Sequence, residues 1–123
     1  FKECSEEELS KKIEMLVSQL KNVGNSIFNL HAPPYGSGFD EAPESDAATR
    51  NLCPVGSTAV RDAIEKYQPL LGLHGHVHEG RGFGKFGRTT CINPGSSYDR
   101  GILLGALINL DEKSVKSFIP VTG

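Results

Sequence analysis

A chain of 123 residues that is 37% hydrophobic and 23% charged can build one compact domain and lies within the ordinary globular range. A formal net charge of -2 and a pI near 6.1 argue against the clustered basic face of a DNA- or RNA-binding protein, so nucleic acid enters only as a possible substrate. No apolar run approaches the roughly 20 residues that cross a bilayer, and FKECSEEELSKK is too polar for a signal-peptide core; no membrane partner is expected.

Ser5 followed by Glu8 is a capping-box pattern, and Leu9, Ile13, Leu16, Val17 and Leu20 recur at helical spacing, which predicts a helix from about Glu6 to Val23. Ser26 to His31 is short, apolar and stopped by Ala32-Pro33-Pro34, the pattern of a buried strand that delivers His31 to a loop. Residues 33–54 are rich in Pro, Gly, Ser, Asp and Glu, and a loop this long inside a compact domain tends to be functional or disordered. Ser57 can cap a second helix that runs to about Tyr67 and is ended by Pro69. Leu70 to Leu73, Arg88 to Asn93, Ile102 to Leu110 and Val115 to Pro120 read as strands, the last three separated by the turn-like NPGSSYDRG and DEKS. The order α-β-α-β-β-β-β predicts an α/β, or α+β, domain with a helix-flanked mixed sheet, without an internal repeat or a domain linker.

All four histidines fall in two places, His31 at one strand end and His74, His76 and His78 in LHGHVHE after another. Neutral imidazole is a common ligand for zinc, manganese, iron and nickel, and strand ends present side chains to a rim where loops leave room for substrate. Residues two apart on extended backbone share a face, so His76 and His78 are expected to converge. His74 with His76 and His78 makes an alternating H-x-H-x-H that suits a single zinc, but packing or hydrogen bonding behind the ligands is the preferred reading for His74. Glu79 is a candidate to orient a histidine or an exposed acid at a loop start.

The segments His31-Ala32-Pro33-Pro34, Gly75-His76-Val77-His78 and Ile92-Asn93-Pro94-Gly95-Ser96, in that order and across nearly the whole chain, resemble the last motifs of the calcineurin-like metallophosphoesterases. The resemblance implies a single partial domain over residues 1–123, the C-terminal half of a four-layer αββα sandwich. It implies two divalent metal ions (Mn, Fe, Zn or Ni), with His31 and His76 on one and His78 on the other. The implied activity is hydrolysis of a phosphomonoester or phosphodiester by metal-activated hydroxide, the ions lying about 3.5–4 Å apart as in two-metal sites generally. Asn93 and Ser96, in a tight turn with Pro94 setting φ and Gly95 accepting positive φ, are expected to shape the rim.

The family's early motifs, D-x-H, G-D-x-x-D and G-N-H, have no counterpart here, and Gly24-Asn25-Ser26 is a superficial match. Those segments supply carboxylates, one of which bridges the metals; three imidazoles alone cannot hold two adjacent, mutually repelling dications. The isolated chain is therefore expected to be inactive or very weak, and its expected partners are a phosphate-ester substrate and either the missing N-terminal half or another copy of itself. The opening at Phe1 likewise reads as the middle of something longer. The competing expectations are a non-catalytic scaffold that keeps the metallophosphoesterase fold, and a mononuclear zinc enzyme using His74, His76 and His78.

The remaining signals are read more plainly. Gly82 to Gly87 satisfies G-x-G-x-x-G, but a strand follows it where a dinucleotide fingerprint needs a helix, so a hairpin or bulge is expected. Asp40, Glu41, Glu44 and Asp46 are expected to be a solvated acidic loop, and Arg50 and Arg81 are candidates to touch phosphate without anything that places them. Cys4, Cys53 and Cys91, an odd set without C-x-x-C spacing, support neither a disulfide framework nor a thiolate zinc site and suit a reducing cytoplasm; Cys53 and Cys91 read as packing residues.

Overall fold

The computed structural model describes residues 4–43 and 52–123. Its first helix, α1 (Glu6–Val17), starts as the capping pattern requires, with the Ser5 hydroxyl accepting the Glu8 backbone N–H at 3.2 Å and three glutamates in the first turn favouring the positive end of the helix dipole. It stops six residues short of the expected Val23. Beyond Val17 the apolar spacing continues, but Leu16 and Leu20 face solvent and bury nothing that would hold another turn. The Ser18 hydroxyl donates back to the Met15 carbonyl at 2.6 Å, and Gln19 and Leu20 close tighter three-residue bonds instead.

The second helix, α2 (Thr58–Tyr67), matches expectation at both ends. The Ser57 hydroxyl accepts the Val60 N–H and itself donates to the Glu6 carboxylate, which also accepts the Ala59 N–H, so the start of α1 caps the start of α2. Gln68, in left-handed backbone before Pro69, ends the helix; its side chain bonds the Ile64 and Phe86 carbonyls and the Arg88 N–H.

Between and after the helices run β1 (Ile27–Asn29), β2 (Glu41–Pro43), β3 (Leu52–Pro54), β4 (Leu71–Leu73), β5 (Gly82–Phe86), β6 (Thr89–Asn93), β7 (Leu104–Leu110) and β8 (Val115–Thr122). The central sheet has the order β1-β4-β6-β5, in which β1, β4 and β6 are parallel and β5 turns back antiparallel to β6. The class is thus a mixed sheet with few helices, as the element order indicated. The G-x-G-x-x-G stretch is the β5 arm of a hairpin, again as expected. The pairing of β2 with β3 was not foreseen: each has three residues, too few for alternation to register.

Period-two alternation on β6 sorts the layers. Cys91 joins Ile13, Phe28, Val60 and Ile64 in the core under the two helices, while Ile92 lines a cleft with Ala106 and Phe118 of the β7–β8 hairpin on the opposite face. The described chain is therefore layered as helices, mixed sheet and hairpin. On the hairpin's outer face Leu107 pairs directly with Ile119, and both are more than half exposed.

The loop after His31 departs from the expected solvated acidic stretch. Asp40 is fully buried, its carboxylate accepting the N–H groups of Gly36 (2.8 Å), Gly38 (3.2 Å) and Gly56 (3.1 Å) and the Ser37 hydroxyl (3.4 Å). Several donors converging on one carboxylate stabilise it far better than water-facing geometry would, which is why an acid occupies this interior position. Glu41 is exposed; Glu44, Asp46 and Arg50 lie outside the described residues.

Candidate metal centre and its rim

Three parallel strands run in the same direction and end on the same edge of the sheet. His31 lies two residues past the end of β1, His76 and His78 lie in the loop after β4, and Asn93 is the last residue of β6. In open parallel sheets this carboxyl edge is where ligands bind, because loops diverge there while the strands hold their roots in register. The ladder persists past the strands: Leu30 N–H bonds the Leu73 carbonyl at 3.1 Å and Gly75 N–H bonds the His31 carbonyl at 2.8 Å. Consequently the rings of His31 and His76, remote in sequence, meet edge to face with centroids 5.3 Å apart, and both residues are exposed.

The expectation that His76 and His78 converge by extended alternation is corrected. His76 has φ +62°, the left-handed region that a residue with a Cβ seldom enters, and Val77 N–H closes a tight turn onto the Gly75 carbonyl at 2.6 Å. The chain reverses, sending His76 to His31 and His78 to a different neighbour, the ring of Tyr98 at 5.5 Å. Among the described residues no group of three or more His, Cys, Asp or Glu side chains is placed to hold one metal ion. Two exposed imidazoles that meet ring to ring suit two ligand positions on one divalent ion, and the rest of the coordination sphere must come from other groups.

His74 is buried and works inside the fold. Its Nδ1–H donates to the carbonyls of Leu30 (2.8 Å) and Ala32 (3.1 Å), tying the β4 loop to the segment that carries His31. Since both partners are carbonyls, Nδ1 bears the proton, and Nε2 is buried with no partner among the described residues. The ring folds back over Gly72, where an added Cβ would sit 2.7 Å from Nε2 and 2.9 Å from the Cys91 sulfur, so glycine is required there for space. These bonds and its burial separate His74 from the exposed His76 and His78.

Burial pushes the His74 pKa below its ordinary value of 6.5, the two carbonyl bonds opposing the shift without cancelling it. A histidine with a depressed folded-state pKa binds more protons unfolded than folded, so its contribution is fully present above about pH 6.5 and is lost as pH falls toward the folded-state value. Urea denaturation between pH 8 and pH 5.5 is expected to show stability falling by up to about 1.4 kcal/mol per pH unit below 6.5. His74→Gln should flatten that slope; an unchanged slope would assign it to other groups.

Asn93, almost completely buried, is a strut for the rim. Its Nδ2 donates to the Val77 carbonyl at 3.0 Å and its Oδ1 accepts the Gly95 N–H at 2.9 Å, joining the β4 loop to the turn after β6. Gly95 has φ +77°, as the Pro-Gly turn required, and Ser96 N–H bonds the His78 carbonyl at 3.0 Å. Glu79 is exposed next to His78. Burial raises the Cys91 thiol to about 12, which keeps it protonated and inert, in keeping with a packing role.

Two clefts adjoin the rim. One, of about 570 Å3, opens between His31, Gly75, Pro94 and the hairpin residues Ala106 and Ile108. The other, of about 520 Å3, includes His78, Arg81, Ser96, Tyr98 and Arg100. Tyr98 and Arg100 escaped the sequence reading, although they follow the NPGSS turn directly and that position alone pointed to the rim.

No family model matches the chain. An uncharacterized protein of Methanocaldococcus jannaschii is 34% identical over 94 residues, a match that covers 75% of this chain and 39% of that protein. A solved crystal structure is similar with 27% identity and a TM-score of 0.57, covering 78% of this chain and 34% of the other. The chain thus spans less than half the length of each protein it matches. None of its described helices is long and apolar enough to cross a membrane.

Proposed function

We propose that this chain is the C-terminal part of a metal-dependent phosphoesterase of the calcineurin-like type, half of a four-layer αββα sandwich. On this reading it contributes His31, His76 and His78 to a site that binds two divalent ions. The observation that carries the reading is the ring-to-ring meeting of His31 and His76 at the carboxyl edge of adjacent parallel strands. The left-handed backbone at His76 adds weight: strain of this kind is kept where a side chain must be aimed, at a cost of about 1–3 kcal/mol.

In this role His31 and His76 bind as neutral imidazoles to one ion, and His78, turned the other way, serves the second. His74 and Asn93 fix the loops that carry them. The ions, when bound, supply Lewis acidity toward the phosphoryl oxygens and lower the pKa of the attacking water. The carboxylates such a site needs, one of them bridging, come from additional polypeptide, either an N-terminal half or a second copy of the chain. The exposed Leu107 and Ile119 on the hairpin and the shorter span relative to the matched proteins support such a partner. The three free cysteines suit the reducing cytoplasm as its compartment.

Titration of the chain with Mn2+ or Zn2+, followed by NMR of the histidine rings, is expected to perturb His31 and His76 together. No turnover of 4-nitrophenyl phosphate or bis(4-nitrophenyl) phosphate above the buffer blank is expected from this chain alone. Histidine rings indifferent to both metals would refute the metal reading, and robust metal-dependent turnover would refute the incompleteness of the site.

A further inference from the structure

The cleft beside His78 offers an aromatic surface that the two-metal reading does not use. Tyr98 is 73% exposed, and the rings of His78 and Tyr98 meet nearly perpendicular, at 85°, with centroids 5.5 Å apart, so the two are not stacked face to face. An exposed aromatic face in a concave site is a platform on which a flat ring can stack. The residues that line it include donors and acceptors: Arg81, Arg100 and Ser96 with the two acids Glu79 and Asp99. The platform is also anchored. Ser96 N–H bonds the His78 carbonyl, Arg100 N–H bonds the Ser97 carbonyl, and Arg81 donates to the Val121 carbonyl at 3.3 Å, joining the cleft to the hairpin.

We propose that this cleft is a leaving-group subsite for a nucleoside phosphate, with the base stacked on Tyr98 and its polar edge read by Asp99 and Arg100. The proposal rests on the phosphoesterase reading, since His78 would then hold the phosphoryl end at the mouth of the same cleft. Its size, about 520 Å3, suits a nucleoside, for which pockets of roughly 300–1,000 Å3 are usual. A plain aryl group would use the ring face and leave the charged and hydroxyl groups idle, whereas a nucleobase engages both.

The test is equilibrium binding to the metal-free chain in EDTA, comparing adenosine 5′-monophosphate with ribose 5-phosphate by NMR of the tyrosine ring and arginine side chains. Adenosine 5′-monophosphate is expected to bind roughly tenfold more tightly, with Tyr98→Ala erasing the difference and Tyr98→Phe keeping it, as base–aromatic stacking requires. Equal affinity for the two ligands, or a preference that survives Tyr98→Ala, overturns the proposal. Because no metal is present, a base preference stands even if the histidine titration fails, in which case the cleft remains a nucleoside site and its leaving-group role falls with the hydrolytic reading. Tyr98 is exposed, so neither variant endangers the fold.

Discussion

Asp40→Ala is expected to lower the unfolding free energy of the chain by about 2–3 kcal/mol, since it takes the shared acceptor from several part-buried donors at once. The carboxylate gathers N–H groups from Gly36 and Gly38 and, across the chain, from Gly56, which immediately precedes the Ser57 cap of α2. Removing it leaves those donors facing a cavity that apolar atoms cannot satisfy. Asp40→Asn keeps one acceptor oxygen and the shape, and should cost about half as much, since its amide presents N–H groups where acceptors are needed. The damage should also reach the rim, because the neighbouring Phe39 ring packs against that of His74 with centroids 6.3 Å apart. Urea unfolding monitored by circular dichroism measures the first effect and the His74 ring resonances the second. A loss below about 1 kcal/mol for Asp40→Ala would mean that water replaces the carboxylate without strain.

His31→Ala and His76→Ala should each weaken Mn2+ or Zn2+ binding on the order of 100-fold, since removal of a direct ligand exceeds the 10- to 100-fold loss typical of groups behind the ligands. The double substitution should add little, because either one alone already dissolves the pair. His74→Gln should lower affinity less, acting only through the loops it ties. Stability separates a functional histidine from a structural one at position 76. With φ at +62°, His76→Gly should be about 1 kcal/mol more stable than His76→Ala, while both lose the metal equally. Isothermal titration paired with urea unfolding gives both quantities on the same samples. Full metal affinity in His76→Gly would remove His76 from the site, and equal stability of the two variants would mean that the backbone relaxes out of the left-handed region once the ring is gone.

Part of this architecture can be read directly from residues. Ser57 and Pro69 bracket α2 correctly because capping and ring closure act locally, within a few residues of the position that decides them. Ser5 does the same for the start of α1, but its end could not be read: the apolar spacing runs on through Leu20, and only the absence of a surface against Leu16 and Leu20 stops the helix. The histidine clusters were legible as strand-end groups for a similar reason. His31 and His76 follow short apolar runs closed by Pro or Gly, and that punctuation is local.

What the order of residues could not convey is which histidines meet. Alternation along LHGHVHE points His76 and His78 the same way only if the backbone stays extended, and the left-handed turn at His76 breaks that condition. The turn is held by Asn93 from β6 and by the His31 carbonyl after β1, partners distant in sequence that parallel pairing brings together. The interior place of Asp40 is decided in the same way, by Gly56 arriving from beyond β3. Capping, turn chemistry and residue type were thus settled by the sequence itself, because they depend on neighbours along the chain. Ring pairing, the burial of Asp40 under Gly56 and the Tyr98 cleft were decided by tertiary structure, because each needs contacts between segments that are remote along the chain.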